Sequence, residues 1–220
     1  MIKVIGVKFP HTLKIYEFDS GGMSILPREY VVVETTQGVE VGQVVYVDRE
    51  VDPNKLESKP VSIIRKATDE DIKVTGELED RAKEYYPLFI EKIKKYGLSM
   101  NPVGVSISLD SSRAVFYFTA EGRIDFRELA KELSRAIQKQ AVLRQIGPRD
   151  EAKLIGGYGR CGRPICCGTF LTGVEGVSMD TVEAQYGMSK SANKVSGICG
   201  RLMCCLNYED ASIKFKKKTK

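Results

Sequence analysis

A seven-residue cysteine phrase occurs twice in this 220-residue chain, and it constrains the fold more than any other feature. The first copy reads C-G-R-P-I-C-C from Cys161 to Cys167, the second C-G-R-L-M-C-C from Cys199 to Cys205. Their starts lie 38 residues apart, and together they hold all six cysteines of the chain. Such placement demands a shared task. Thiolates that ligate a soft metal must converge on one point, at about 2.3 Å from a zinc ion. Each phrase supplies a lead cysteine and, past a Gly-Arg turn, an adjacent pair. Neighbouring side chains diverge in strand and helix alike. Each phrase is therefore expected to donate two thiolates and keep the third for packing or another purpose. Cys161 and Cys199 are the expected lead ligands, while the choice between Cys166 and Cys167, and between Cys204 and Cys205, stays open. A total of about four suits a zinc ion or a cubane iron–sulfur cluster. Arg163 and Arg201 are expected to support the site by lowering thiol pKa values and offsetting thiolate charge. The Cys-x4-Cys-Cys spacing matches neither the C-x-x-C of zinc sites nor the ferredoxin run. On chemistry alone, zinc, a cluster, packed thiols and a redox disulfide all remain open.

Composition bears on compartment and partners. No run of about 18 uncharged apolar residues occurs, and Met1 to Lys8 reads as a strand rather than a secretion signal. A cytoplasmic location is expected, where thiols stay reduced, so ligation or burial ranks ahead of disulfides. The formal net charge is +5, yet residues 211–220 alone carry five lysines and no acid. The body is thus near neutral, with a basic tail at 210–220 suited to phosphates or anionic partners.

The expected fold class is α+β, with a small β-rich N-terminal module, an α/β domain of partly ferredoxin-like order and a C-terminal cysteine-rich region. Residues 1–65 read as a small β-barrel-like module. Its strands are expected at Ile2–Lys8, Leu13–Phe18, Tyr30–Thr35, Gly38–Val47 and Val61–Arg65, rich in β-branched residues and parted by glycine or proline. His11, the single histidine, reads as a solvated loop residue. Residues 66–153 read as an α/β sandwich. A helix is expected over Asp69–Tyr96, where Leu78, Ala82, Tyr85 or Tyr86, Phe89, Ile93 and Tyr96 recur at one-face spacing and Pro87 is expected to kink or divide it. Strands follow at Val103–Leu109 and Ala114–Thr119. A helix over Phe126–Gln140 is expected to open on an Asp125/Glu128 capping box, and a last strand, Ala141–Ile146, to close at Gly147-Pro148. The duplicated cysteine region, 154–209, is expected to pack on this domain, with a helix opened by Asp180 and Glu183 between the phrases and a turn at Asn193–Gly197. Gly156, Gly157 and Gly159 are expected to let backbone approach the first cysteine loop closely. No phosphate-binding loop, dinucleotide fingerprint, nucleophile elbow or acid–base constellation is present, and the acids sit at capping and surface spacing.

The runs G-G-Y-G-R-C-G-R-P-I-C-C-G-T-F-L at 156–171 and V-S-G-I-C-G-R-L-M-C-C-L-N-Y-E at 195–209 resemble the bacterial RicT/YaaT family. That group is named after the C-terminal region of a yeast polymerase-suppressor protein. The resemblance extends from the Tyr30–Thr35 strand onward. It implies a cytoplasmic, non-catalytic regulatory adaptor working with small helical partner proteins of the RicA and RicF type. It further implies a 4Fe–4S cluster, with Cys161, Cys166, Cys167, Cys199, Cys204 and Cys205 as ligand candidates. Through endoribonuclease Y, such a complex is implied to modulate mRNA processing, sporulation and related development. The alternative is a structural-zinc protein contacting RNA or DNA through the N-terminal β module and the lysine tail.

Overall fold

The computed structural model describes residues 2–9, 12–51, 60–171, 176–186 and 192–208. His11 and the lysine tail at 210–220 lie outside the described residues. The chain is α+β, with a β-rich start, a central α/β region and short helices carrying the cysteines. It divides into two compact units, Met1–Ile146 and Gly147–Lys220. No described helix is long and apolar enough to cross a membrane.

In the first unit, β1 (Ile2–Phe9), β2 (Thr12–Phe18), β3 (Tyr30–Thr35), β4 (Gly38–Val51) and β5 (Arg65–Lys66) form an antiparallel sheet in the order β2-β1-β4-β3-β5. Val31, Val32 and Val33 are all buried, so β3 is covered on both faces, as a β-branched run prefers. Just past β2, the Asp19 N–H donates to the Val61 carbonyl and the Asp19 carbonyl accepts from the Ile63 N–H, both at 3.0 Å. The outer edges of the sheet thereby meet and it closes on itself, which leaves few unpaired edge groups. Ile5, Val7, Phe9, Phe18, Ile25, Val44 and Ile63 fill the interior. This closure also corrects the expected strand at Val61–Arg65. The segment changes partner midway, from the end of β2 at Ser62 to β3 at Arg65, and only Arg65–Lys66 is a strand.

Helix α1 (Asp69–Tyr96) starts at a reciprocal capping box: Asp71 N–H donates to Thr68 Oγ1 at 3.3 Å, and Thr68 N–H to Asp71 Oδ2 at 2.7 Å. It runs through Pro87 as one helix and buries Leu78, Ala82, Phe89 and Ile93. Strands β6 (Asn101–Ile107), β7 (Arg113–Thr119) and β8 (Gln140–Gln145) form a second sheet in that order, with α2 (Arg127–Ile137) between β7 and β8. The expected helix-strand-strand-helix-strand order is present as α1, β6, β7, α2 and β8, but the sheet topology is not ferredoxin-like. A β-α-β-β-α-β sandwich requires a strand ahead of α1 in this sheet, but the strand in that place, β5, pairs with β3 instead. As a result β8 lies directly beside β7 in parallel, a simple β-α-β crossover.

Asp125 does not form the expected capping box. Its carboxylate is taken by the backbone and guanidinium of Arg127, and α2 begins without a side-chain cap. The helix ends at Ile137, earlier than expected, because Gln138 turns left-handed at φ 52°. Phe89, Phe116, Phe118, Leu129 and Leu133 are fully buried between α1, α2 and the sheet, with Phe89 and Phe116 centroids 5.0 Å apart.

The closed sheet and the α/β layer are locked by polar contacts. Tyr117 Oη donates to Gln37 Oε1 at 2.7 Å, Leu109 N–H to the Val39 carbonyl at 2.7 Å, and Arg113 Nη1 to the Thr36 carbonyl at 3.3 Å. The β3–β4 turn therefore docks on the β6–β7 hairpin. Burial pushes the Tyr117 hydroxyl pKa well up, which keeps it a donor.

Phe116→Ala is expected to lower stability by about 3–5 kcal/mol, read as a lower urea midpoint at unchanged slope. Glu132 offers a pH test. Hydrogen bonding from Tyr96, then from Lys92 and Lys95, holds its pKa at about 2, below the ordinary 4.5. A depressed carboxylate stabilises the fold fully above its unfolded pKa and loses that contribution as pH falls through the folded value. The melting-temperature gap between wild type and Glu132→Gln is thus expected to be full at neutral pH and to close between about pH 4.5 and 2.

Candidate thiol site

The second unit opens with α3 (Pro148–Ile155), capped by Gly147 with Pro148 as its first residue. The Gly147-Pro148 pair, expected to end a strand, also begins this helix. Proline loses nothing at a first helical position, because its missing N–H has no partner there anyway.

Two loops follow with the same internal geometry. In the first, Gly159 N–H donates to the Arg163 carbonyl at 2.8 Å, Gly162 N–H to the Gly159 carbonyl at 3.0 Å, and Ile165 N–H to the Gly157 carbonyl at 3.1 Å. In the second, Gly197 N–H donates to the Arg201 carbonyl at 2.8 Å, Gly200 N–H to the Gly197 carbonyl at 3.0 Å, and Met203 N–H to the Val195 carbonyl at 2.9 Å. Bridges Tyr158–Pro164 and Ser196–Leu202 tie the loop bases. Gly162 and Gly200 take nearly identical left-handed conformations, φ 74° and 73°. The duplication seen in the cysteines is therefore a duplicated backbone, starting about four residues before each lead cysteine. The close approach expected at Gly156, Gly157 and Gly159 is not what these residues provide. A side-chain carbon would meet nothing within 4 Å at Gly156 and would make only ordinary contacts at Gly157 and Gly159, the latter 3.5 Å from Cys161 Sγ. Gly156 and Gly157 instead take positive φ, 79° and 122°.

Beyond each loop the chain turns helical, at Cys166–Gly168 in the first and at 204–208 in the second. Equivalent residues then meet each other. The Cys166 and Cys204 thiols are neighbours, close enough for Cys204 to raise the Cys166 pKa. Phe170 and Tyr208, again 38 residues apart, pack edge to face with centroids at 5.5 Å. Like pairing with like is what an isologous, twofold-type contact produces. Under the second loop Val182, Val195 and Leu206 form a small core with Val177, Leu202 and Met203.

The six cysteines occupy different surroundings. Cys161 is exposed, Cys167 is buried, and Cys166, Cys199, Cys204 and Cys205 are half-buried. Burial pushes the Cys166 thiol pKa up, and the neighbouring Cys204 and Cys161 add to the shift. Burial likewise raises Cys167, with Cys204 and Cys199 adding and the Lys153 and Arg149 charges opposing. Thiols of both phrases thus share one neighbourhood. Among the described residues, however, no three Cys, His, Asp or Glu side chains are grouped so as to hold a metal ion.

Arg163 and Arg201 are exposed, and their carbonyls close the loops. The cations set against Cys167 are instead Lys153 and Arg149 of α3. Sequence reasoning missed this pair. The available signal was Pro148 followed by Asp150 and Glu151, a helix-start pattern that puts both cations on one short helix.

Helix α4 (Met179–Tyr186) is capped by Ser178, whose Oγ accepts from Thr181 N–H at 3.3 Å, rather than by the expected Asp180/Glu183 box. Val182 faces inward. The expected turn at Asn193–Gly197 begins instead as a short helix, α5 (Ala192–Val195).

Comparison with known proteins places residues 61–146 in the PSP1 C-terminal conserved region and residues 176–219 in the third domain of PSP1-like proteins. The stage 0 sporulation protein YaaT of Bacillus subtilis (strain 168) is 43% identical over 210 residues, covering 96% of this chain and 76% of that protein. No solved structure matches the chain.

The paired loops make a direct prediction. Gly162→Ala and Gly200→Ala each force a side chain into the left-handed region, a cost of about 1–2 kcal/mol. Each is expected to speed labelling of the cysteines by a thiol reagent, and Gly162→Asn to do so less than Gly162→Ala.

Proposed function

The chain belongs to the family of the stage 0 sporulation protein YaaT, and on that premise we propose that this non-catalytic regulatory protein is an adaptor that carries or shares an iron–sulfur cluster. The observation that carries the reading is the meeting of the two cysteine phrases at Cys166 and Cys204. Two segments separated by a helix-bearing stretch bring thiols to one place, with an all-sulfur donor set that suits a soft metal. Lys153 and Arg149 supply positive charge beside it, where thiolates would otherwise repel one another.

The ligand candidates remain Cys161, Cys166, Cys167, Cys199, Cys204 and Cys205. Cys161, exposed on the first loop, is suited to a cluster shared with a second protein. In this reading the partners are small helical proteins of the RicA and RicF type. The assembly modulates mRNA processing through endoribonuclease Y in the cytoplasm, where reduced thiols persist. Support for these partners is the resemblance of the cysteine phrases. The cluster would supply a redox- or iron-responsive centre, and the chain's own part is to hold the thiols and present the surrounding surface.

The test is anaerobic purification of the full chain, alone and with such partners, followed by absorption spectroscopy and iron, sulfide and zinc analysis. The expected result is a broad band at about 400 nm with roughly four irons and four sulfides per cluster, lost when Cys166 and Cys204 are both replaced by serine. Stoichiometric zinc without colour would recast the loops as a structural clasp. Partner binding and folding that survive replacement of all six cysteines would overturn the reading.

A further inference from the structure

Aromatic side chains are distributed unequally between the two units. In the first they are mostly buried or half-buried, and the most exposed, Tyr30, reaches only 40%. In the second, Tyr158, Phe170 and Tyr208 are 70%, 58% and 54% exposed, the three most exposed aromatics among the described residues. All three stand in the two repeated segments, 156–171 and 192–208. Those segments carry Arg160, Arg163, Lys194 and Arg201 and contain no aspartate or glutamate. All four cations are exposed, and among the described residues none is engaged in an ion pair.

Aromatic and cationic groups are also interleaved. Tyr158 lies two residues before Arg160 and is bridged to Pro164, the neighbour of Arg163, so arginines flank it on both sides. Phe170 and Tyr208, from the two segments, pack edge to face, a geometry that leaves ring faces free. A surface built to meet the apolar face of a folded protein has no need of an acid-free cationic surround. Phosphates do need one, and unpaired bases need exposed π-faces on which to stack.

We propose that the paired loops bind single-stranded nucleic acid, with bases stacking on Tyr158 and on the Phe170–Tyr208 pair while Arg160, Arg163, Lys194 and Arg201 contact phosphates. No cysteine is used, so the inference stands apart from the thiol reading and goes beyond it. Base-edge recognition is not part of it, and binding tolerates sequence.

The test is fluorescence anisotropy of the full chain with fluorescein-labelled oligouridylate and oligodeoxythymidylate of about 15 nucleotides, across a salt series. The wild-type chain is expected to bind at least one of them, and the tighter of the two identifies RNA or DNA as the natural class. Phe170→Ala with Tyr208→Ala is expected to weaken binding about tenfold or more. Arg160→Gln with Arg163→Gln and Arg201→Gln is expected to flatten the log–log salt dependence by about 2, at roughly 0.7 per lost phosphate contact. Should the aromatic double variant fail to fold, Tyr158→Ala and the arginine variant carry the same test. Two results overturn the proposal. One is no binding by the wild-type chain at about 50 mM salt, which leaves these loops to a protein partner. The other is full binding by both loop variants that disappears when the lysines at 214, 216, 217, 218 and 220 are replaced by serine.

Discussion

A chain reversal that only glycine makes without strain underlies the second unit. At Gly162 and Gly200 the backbone enters the left-handed region one residue after the lead cysteine, where a side-chain carbon would crowd the following carbonyl. The reversal lets each loop close through Gly159 to Arg163 and through Gly197 to Arg201. It also returns the chain so that the adjacent cysteine pair follows beside the lead cysteine's loop. Because both loops use the same bond pattern, the residues emerging from them are equivalent, and equivalent residues can meet as pairs. Cys166 with Cys204 and Phe170 with Tyr208 are those pairs.

Adjacency within each Cys-Cys pair then divides the labour. Successive side chains point apart, so in the first phrase Cys167 goes into the packed interior while Cys166 stays at the contact between phrases. Burial raises both thiol pKa values, which holds them as neutral thiols until a metal or a stronger positive field favours the thiolate. The cations of α3 offer part of that field. In the first unit the equivalent ordering principle is closure. One segment, 61–66, satisfies both edges of the β-rich sheet, and the docking of Gln37 against Tyr117 joins that sheet to the α/β layer. Committing the segment before α1 to the first sheet leaves the second sheet with three strands.

Much of this was legible in the residues. Helix α1 was readable from the one-face recurrence of Leu78, Ala82, Phe89 and Ile93, because periodicity is a local property. Strands β1 to β4 were likewise readable from β-branched runs between turn residues. The misreadings have a common cause, competition for a partner. Asp125 matches a capping pattern but is held by Arg127, and Asp180 matches one but sits inside a helix already capped by Ser178. Residues 61–65 look like one strand, yet two different neighbours take its halves. The helix-strand-strand-helix-strand order was legible, but a ferredoxin-like sheet does not follow from it, since element order does not say which sheet a strand joins.

The sequence by itself determined that the six cysteines stand in two equivalent groups, that glycine turns each group back, and that a β-rich start precedes an α/β layer. These follow from spacing, conformational preference and patterning, which act over a few residues. Only the tertiary structure decided which cysteines are neighbours, which cations stand beside Cys167, and that Tyr158, Phe170 and Tyr208 remain in solvent while most other described aromatics are buried or half-buried. Those outcomes depend on contacts between segments tens of residues apart. Their energies are set by burial and distance, which no local pattern encodes.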